Sequence, residues 1–200
     1  MTILSVNKTR KFRWAHCAHF LFTGALRPFF VSREGEIMNK NVQHLTHSAV
    51  LAAVYVILTH LQNFIFPNSA NMAVQFRLSE VLCVLAFFTP AAIPGLSLGC
   101  LLFNLTSGAA LPLDFLVGTA ATALSTWCMW LTRKLTIRDY PLLGLLMPAL
   151  FNAILVGWEL SVYIGGAFWL NALLVAVGEA AVLLIPGSVL YFTLRKRKLF

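Results

Sequence analysis

The sequence predicts an all-α membrane protein, a bundle of six transmembrane helices, and three observations support this prediction. Hydrophobic residues make up 59% of the 200-residue chain and charged residues only 11%, whereas soluble domains carry about a quarter charged residues. The mean hydropathy is +0.80. The apolar residues form long runs separated by proline, glycine and polar breaks, which is the pattern of membrane-spanning helices.

Residues 1–37 differ in composition from the rest of the chain. They are basic, and their apolar run around HFLFTGAL is broken by Arg27 and Pro28. Because a bilayer-spanning helix needs about 20 apolar residues, this run is too short to cross. We interpret residues 1–37 as an N-terminal extension, either disordered or upstream of the true start at Met38. Residues 38–200 are predicted to form one transmembrane domain.

Six apolar segments follow, each close to the length that a hydrocarbon core of about 30 Å demands. They cover approximately residues 45–63, 74–89, 92–110, 114–132, 142–160 and 168–193. Lysine and arginine lie before the first segment, between the fourth and fifth, and after the sixth. By the positive-inside rule these regions are cytoplasmic, which predicts an N-in, C-in topology. The loops after the first, third and fifth segments then face outward.

The sequence argues against several classes of function. The net charge of +8 belongs to the tails and one loop, so no nucleic-acid surface is predicted. The four cysteines form no CxxC pair. His44 and His47 form an HxxH pair without accompanying carboxylates, so no metal site is predicted. The chain lacks a phosphate-binding GxxxxGK[ST] run and therefore does not bind ATP through a P-loop of its own. No cofactor is expected.

Ionisable side chains inside the apolar segments are the strongest functional signal. They are Arg77, Glu80, Asp114, Glu159 and Glu179. A charge at the bilayer centre costs about 2.5–3.5 kcal/mol on insertion scales, so such residues normally line a protein interior or a cavity. In the predicted topology Glu179 lies at mid-depth and the other four lie towards the outer side. This distribution predicts a polar pocket that opens outward.

Two asparagines extend this pocket. Asn152 lies two helical turns before Glu159 on the same stripe of the fifth segment, and Asn171 shares a broad face of the sixth segment with Glu179.

Arg77 and Glu80 are spaced i, i+3, which suits an ion pair, with ligand contact as the alternative. Around the last outer loop, Trp158, Tyr163 and Trp169 suit either an interfacial aromatic belt or stacking on a ligand.

Small residues at helical spacing indicate close helix approach. Ala49 and Ala53 form AxxxA in the first segment, and Gly95 and Gly99 form GxxxG in the third. From the residues alone, both motifs indicate packing inside the bundle.

Several stretches together resemble a known family. VQFRLSEVLCVLAFFTPAAIPGLSLGCLLFN, PLDFLVGTAATAL, MPALFNAILVGWEL and NALLVAVGEAAVLLIPG occur in this order. They closely resemble the QueT family, the substrate-binding S components of energy-coupling-factor (ECF) transporters assigned to queuosine precursors. The likeness runs from about residue 38 to the C-terminus.

The resemblance implies a six-helix S component in a bacterial cell membrane that binds a vitamin-like compound at its outer side. It also implies partners: a transmembrane coupling subunit and two ATPases, which hydrolyse ATP for this ABC importer while the S component itself is no enzyme. In several such families an alanine-spaced face of the first helix contacts the coupling subunit. Ala49 and Ala53 match that pattern.

The implied substrate is a deazaguanine, whose ring N–H and exocyclic amine one carboxylate can accept together. Glu159 and Glu179 are the leading candidates for this contact and for an aminomethyl cation. The remaining polar edges and the ring face are expected to meet Asn152, Asn171, Gln75, Trp158 or Trp169. The sequence leaves open which carboxylate reads the base, and whether the ligand is the aminomethyl base, queuine or a nucleoside. Alternatives are another vitamin-like heterocycle, or an intramembrane enzyme using Glu179 or Asp114 as acid or base.

Overall fold

A computed structural model describes residues 40–67, 77–108 and 110–197 of the protein. Within these ranges the regular secondary structure is helical, apart from one isolated bridge between Ile137 and Tyr140. The elements are α1 (Lys40–Ile65), a 3₁₀-helix (Leu78–Phe87), α2 (Ala92–Thr106), α3 (Asp114–Thr132), α4 (Leu142–Leu145), α5 (Met147–Tyr163), α6 (Phe168–Val182), a π turn (Leu183–Gly187) and α7 (Ser188–Arg197). The N-terminal extension 1–37 lies outside the described residues, so its interpretation stays a prediction.

The six predicted segments match these elements in order, but two helices are shorter than predicted. In the described part of the chain, four helical stretches are long and apolar enough to cross a membrane: Lys40–Ile65, Asp114–Thr132, Leu142–Tyr163 and Phe168–Lys196. The 3₁₀-helix has 10 residues. Helix α2 has 15 residues, because the backbone adopts an extended conformation at Ser107 and ends the helix. The fold is that of a helical membrane protein, while six spans and the N-in, C-in topology stay predictions.

The 3₁₀-helix is the central element of the fold and contacts α1, α2, α3, α6, the π turn and α7. Bonds between residues three apart close both of its ends: the Glu80 N–H donates to the Arg77 carbonyl at 3.0 Å, and the Phe88 N–H donates to the Leu85 carbonyl at 3.0 Å. A 3₁₀-helix has three residues per turn, so residues three apart share a face. Arg77, Glu80 and Cys83 therefore form one buried row.

Helices α1 and α2 pack closely along the GxxxG motif of α2. A Cβ atom at Gly95 would lie 2.7 Å from the Ser48 carbonyl oxygen, and one at Gly99 would lie 2.8 Å from the Cβ of Tyr55. Side chains at these positions would push the two helices apart. The prediction that this motif permits close helix approach is therefore confirmed, with α1 as the partner.

Helices α5 and α6 make a second close contact. A Cβ atom at Gly157 would lie 2.8 Å from the Cα of Ala172 and 3.0 Å from its backbone nitrogen. Pro148 stands in the first turn of α5, where a missing N–H is harmless. Pro186 lies inside the π turn that follows α6. Proline commonly interrupts the hydrogen bonding of an α-helix. The contact at Gly157 is what brings α5 and α6 close together.

Two of the basic regions lie at the same end of the bundle. Arg195 of α7 donates to the carboxylate of Asp139 at 2.8 Å and to its carbonyl at 2.7 Å. Asp139 belongs to a tight turn in which Ile137 and Tyr140 exchange backbone hydrogen bonds of 2.9 and 3.0 Å. The loop before α4 and the C-terminal helix therefore share one end, as the predicted topology requires.

Candidate ligand-binding site

The five ionisable residues singled out from the sequence form one buried cluster. Arg77, Glu80, Asp114, Glu159 and Glu179 are each at most 1% exposed. Arg77 lies within electrostatic range of all four carboxylates. These side chains come from the start and first turn of the 3₁₀-helix, from the first residue of α3, and from the C-terminal thirds of α5 and α6. We call these five residues the carboxylate cluster.

If all four carboxyl groups were ionised, the carboxylate cluster would hold an excess of negative charge, because four carboxyl groups lie within electrostatic range of one guanidinium among the described residues. Burying an unbalanced charge away from water is costly unless it is neutralised or paired. The cluster must therefore take up protons or a cation. A cationic ligand would supply that balance directly.

Two of the carboxylates are already engaged by hydrogen bonds within the protein. The Tyr55 hydroxyl donates to Glu80 Oε1 at 2.8 Å, and the Cys83 thiol donates to Glu80 Oε2 at 3.0 Å. Asp114 Oδ2 accepts the Leu111 N–H at 3.0 Å, which closes the turn before α3. These bonds restrain both side chains. Both oxygens of Glu80 and Oδ2 of Asp114 therefore stabilise the fold.

Glu159 and Glu179 differ from the other two, because all four of their carboxylate oxygens are buried and make no hydrogen bond of standard geometry, although Asp114 lies beside Glu159 and Asn152 beside Glu179. Oδ1 of Asp114 shares this condition. Asn152 is buried on α5 and lies near Glu179. Buried acceptors normally have donors. The carboxylate oxygens of Glu159 and Glu179 are therefore the groups available to the N–H donors of a ligand.

The predicted aromatic residues lie on the outside of the bundle. Trp158 is 51% exposed and Trp169 is 79% exposed, and Tyr163 is also exposed. These positions favour the interfacial belt, since Trp and Tyr settle at membrane interfaces. Stacking of Trp158 or Trp169 on a ligand stays a prediction.

Asn171 serves a loop in this structure. Its side-chain amide donates to the Gly165 carbonyl at 3.0 Å. Gly165 and Gly166 have φ angles of +89° and +88°, a conformation that glycine adopts at little cost. Asn171 thus holds the turn between α5 and α6. Gln75 lies outside the described residues, and its role stays a prediction.

Asn104 and Gly118 were missed by the sequence reasoning. The Asn104 side chain donates to the Asp114 carbonyl at 2.8 Å. A Cβ atom at Gly118 would lie 2.8 Å from Asn104 Nδ2 and 3.7 Å from Arg77 Nη1. Gly118 therefore leaves the space that these two side chains occupy, and nothing in the local sequence indicates this.

Tyr55 was missed as well, although a sequence signal exists. Ser48, Tyr55 and Gln62 recur every seven residues in α1, two helical turns apart, and all three are buried. Residues at this spacing share one face of a helix. A polar stripe in an apolar helix would have indicated this face.

The fold and the cluster define a class of protein: a helical membrane protein with a buried ionisable site between its helices. The comparisons agree with this class. The sequence profile of the family described as QueT transporter matches residues 45–196. The chain belongs to the QueT transporter family, and it is therefore the S component of a transporter. The comparisons with curated proteins and with solved structures give no match.

Proposed function

We propose that this protein is the substrate-binding S component of an ECF-type ABC importer that takes up a queuosine precursor, a deazaguanine base, across a bacterial cell membrane. Membership of the QueT transporter family supports the transport role. The observation that carries the ligand assignment is the set of four buried oxygens on Glu159 and Glu179 that make no hydrogen bond of standard geometry.

The chemistry of a deazaguanine complements these oxygens. Its ring N–H and exocyclic amine point the same way, so one carboxylate accepts both in a bidentate contact. An aminomethyl substituent adds an ammonium group that pairs with the second carboxylate and offsets the negative excess of the carboxylate cluster. Asn152, which is buried beside Glu179, offers an amide to a remaining polar edge of the base.

Direct binding tests this proposal. Aminomethyl-deazaguanine and queuine are titrated calorimetrically into the purified protein in nanodiscs, with riboflavin, thiamine and biotin as negative compounds. We expect saturable binding of a deazaguanine and none of the three vitamins. Binding of one of these vitamins in the absence of deazaguanine binding would assign the site to another heterocycle.

The proposed docking face for the coupling subunit is the exposed side of α1. Ala49 and Ala53 are exposed one helical turn apart, whereas Ser48 and Ala52 face the bundle. Small residues on a lipid-facing surface let a second helix approach closely. This position supports docking of a partner subunit over packing inside the bundle.

Replacing both alanines with leucine is expected to abolish association with the coupling subunit and leave ligand affinity unchanged. The larger side chains would hold a partner helix away, while the carboxylate cluster lies on the other side of α1. Copurification of the tagged protein with the coupling subunit and ATPases measures association. Ala120→Leu, an exposed alanine of α3, is the matched control. Full recovery of the complex by the Ala49→Leu/Ala53→Leu protein would rule out this docking face.

A further inference from the structure

Ser48, Tyr55 and Gln62 form the polar stripe of α1, and this stripe bonds to the segment of the chain that carries Arg77 and Glu80. Its three members bond to the 3₁₀-helix and its flanks at three levels of the bundle. The bonds are Ser48 Oγ to the Ala91 carbonyl at 2.9 Å, Tyr55 Oη to Glu80 Oε1 at 2.8 Å, and the Leu78 N–H to Gln62 Oε1 at 2.7 Å. Because the bonds are distributed along α1, a displacement of α1 would be transmitted to the 3₁₀-helix.

The bond made by Tyr55 differs in kind from the other two. The Ser48 and Gln62 bonds named above end on backbone groups, whereas the Tyr55 hydroxyl donates to the ionisable side chain of Glu80. A hydrogen bond to a charged group is stronger and more directional than a neutral one. With Cys83 on the other oxygen, Glu80 has a donor on each side and a restrained orientation.

The GxxxG motif of α2 makes room for Tyr55. A Cβ atom at Gly99 would lie 2.8 Å from Tyr55 Cβ and 3.1 Å from Tyr55 Cγ. The ring is fully buried and contacts the position where a side chain of residue 99 would stand. A motif that is recognised as helix packing thus also orients a side chain of the binding site.

The orientation of Glu80 matters for the rest of the cluster, because Glu80 lies within electrostatic range of both Arg77 and Glu179. We propose that Tyr55 is a positioning residue for ligand binding: by holding Glu80 as a counter-charge for Arg77, it leaves Glu159 and Glu179 to the ligand. This inference rests on the proposed function for its ligand, and it assigns to α1 a role inside the site.

The variant Tyr55→Phe tests the proposal, because it keeps the ring that packs on Gly99 and removes only the hydroxyl. We expect affinity for aminomethyl-deazaguanine to fall about tenfold, the order expected for loss of one charged hydrogen bond. Tyr140→Phe, which removes a tyrosine hydroxyl in the loop before α4 that lies 2.6 Å from Ser188 Oγ, is the matched control and should bind like the wild type. An unchanged affinity in Tyr55→Phe would overturn the proposal.

A double-mutant cycle separates positioning from a general packing effect. If Tyr55 acts through Glu80, adding Tyr55→Phe to Glu80→Gln should weaken binding by less than about threefold, well below its effect in the wild type, because the two changes share one interaction. Equal effects in both backgrounds would mean that Tyr55 acts by another route, and the proposal would be wrong.

A readout that needs no ligand keeps the two proposals distinguishable. Loss of the Tyr55 bond leaves Glu80 with the Cys83 thiol as its other donor, so the carboxylate can turn and weaken its bond to that thiol. Modification of Cys83 by methyl methanethiosulfonate, followed by mass spectrometry of its peptide, should be several-fold faster in Tyr55→Phe than in the wild type or Tyr140→Phe. If the wild type binds no deazaguanine, the proposed function fails, and the labelling rates alone decide the positioning role. Equal rates would then refute it.

Discussion

Replacing Glu159 and Glu179 with glutamine is expected to abolish binding of aminomethyl-deazaguanine while leaving the unliganded protein at least as stable as the wild type. The four carboxylate oxygens are buried and make no hydrogen bond of standard geometry, so the change breaks no such bond in the empty protein and removes groups whose charged form burial disfavours. In the complex the same change removes charge-assisted hydrogen bonds, each worth about 1.5–3 kcal/mol. Each single variant should therefore lose about tenfold to a hundredfold in affinity.

This prediction is specific because ligand affinity should fall while the stability of the unliganded protein should not. Affinity is measured by calorimetry, and stability by the midpoint of thermal unfolding without ligand. Asp139→Asn is the control, since Asp139 is an exposed carboxylate in the turn at the basic end of the bundle, paired with Arg195. Wild-type affinity in both single variants would show that neither Glu159 nor Glu179 contacts the ligand. A large loss of stability in the empty protein would show that they serve the fold.

Gly157→Ala is expected to lower the free energy of unfolding by about 1–3 kcal/mol, the usual cost of overpacking. The added Cβ would stand 2.8 Å from the Cα of Ala172, and a backbone atom cannot turn aside as a side chain can. This clash outweighs the gain of up to about 1 kcal/mol that alanine brings to a helix interior. The helices α5 and α6 would have to separate.

Separation of α5 and α6 also predicts a functional effect, because α5 carries Glu159 and α6 carries Glu179. Ligand affinity should fall together with stability, in contrast to the glutamine variants. Denaturant unfolding and calorimetry measure the two quantities. Gly108→Ala is the matched control, since a Cβ atom there would have no neighbour within 4 Å. Wild-type stability of the Gly157→Ala protein would mean that the contact between α5 and α6 adapts.

The sequence predicted the buried charges well. Arg77, Glu80, Asp114, Glu159 and Glu179 were expected to line the interior or a cavity because lipid cannot solvate a charge, and the structure buries all five. The outward opening of that cavity stays a prediction. The bounds of α3 were predicted at residues 114–132 and agree with the structure. The bounds of a helix can be predicted without tertiary information when its apolar run is long and ends at clear breaks.

The form of the second segment was not predictable in the same way. It was expected over about 74–89, and the structure forms a 3₁₀-helix over Leu78–Phe87. Apolar composition does not distinguish an α-helix from a 3₁₀-helix, because both bury most of their residues here. The consequence for the site is direct, since three residues per turn align Arg77, Glu80 and Cys83 in one row.

The sequence by itself determined that the protein is a helical membrane protein of the QueT transporter family and which charged residues its interior must hold. The membrane helices and the buried charges follow from local composition, since the bilayer selects apolar helices and penalises lipid-facing charges. The family follows from the match of residues 45–196 to the QueT transporter profile. Only the tertiary structure decided how the charges differ from one another. Glu80 is engaged by Tyr55 and Cys83, while the carboxylate oxygens of Glu159 and Glu179 make no hydrogen bond of standard geometry. Hydrogen bonds form between atoms about 3 Å apart, and residues 25 positions apart, such as Tyr55 and Glu80, reach that distance only when the helices have packed.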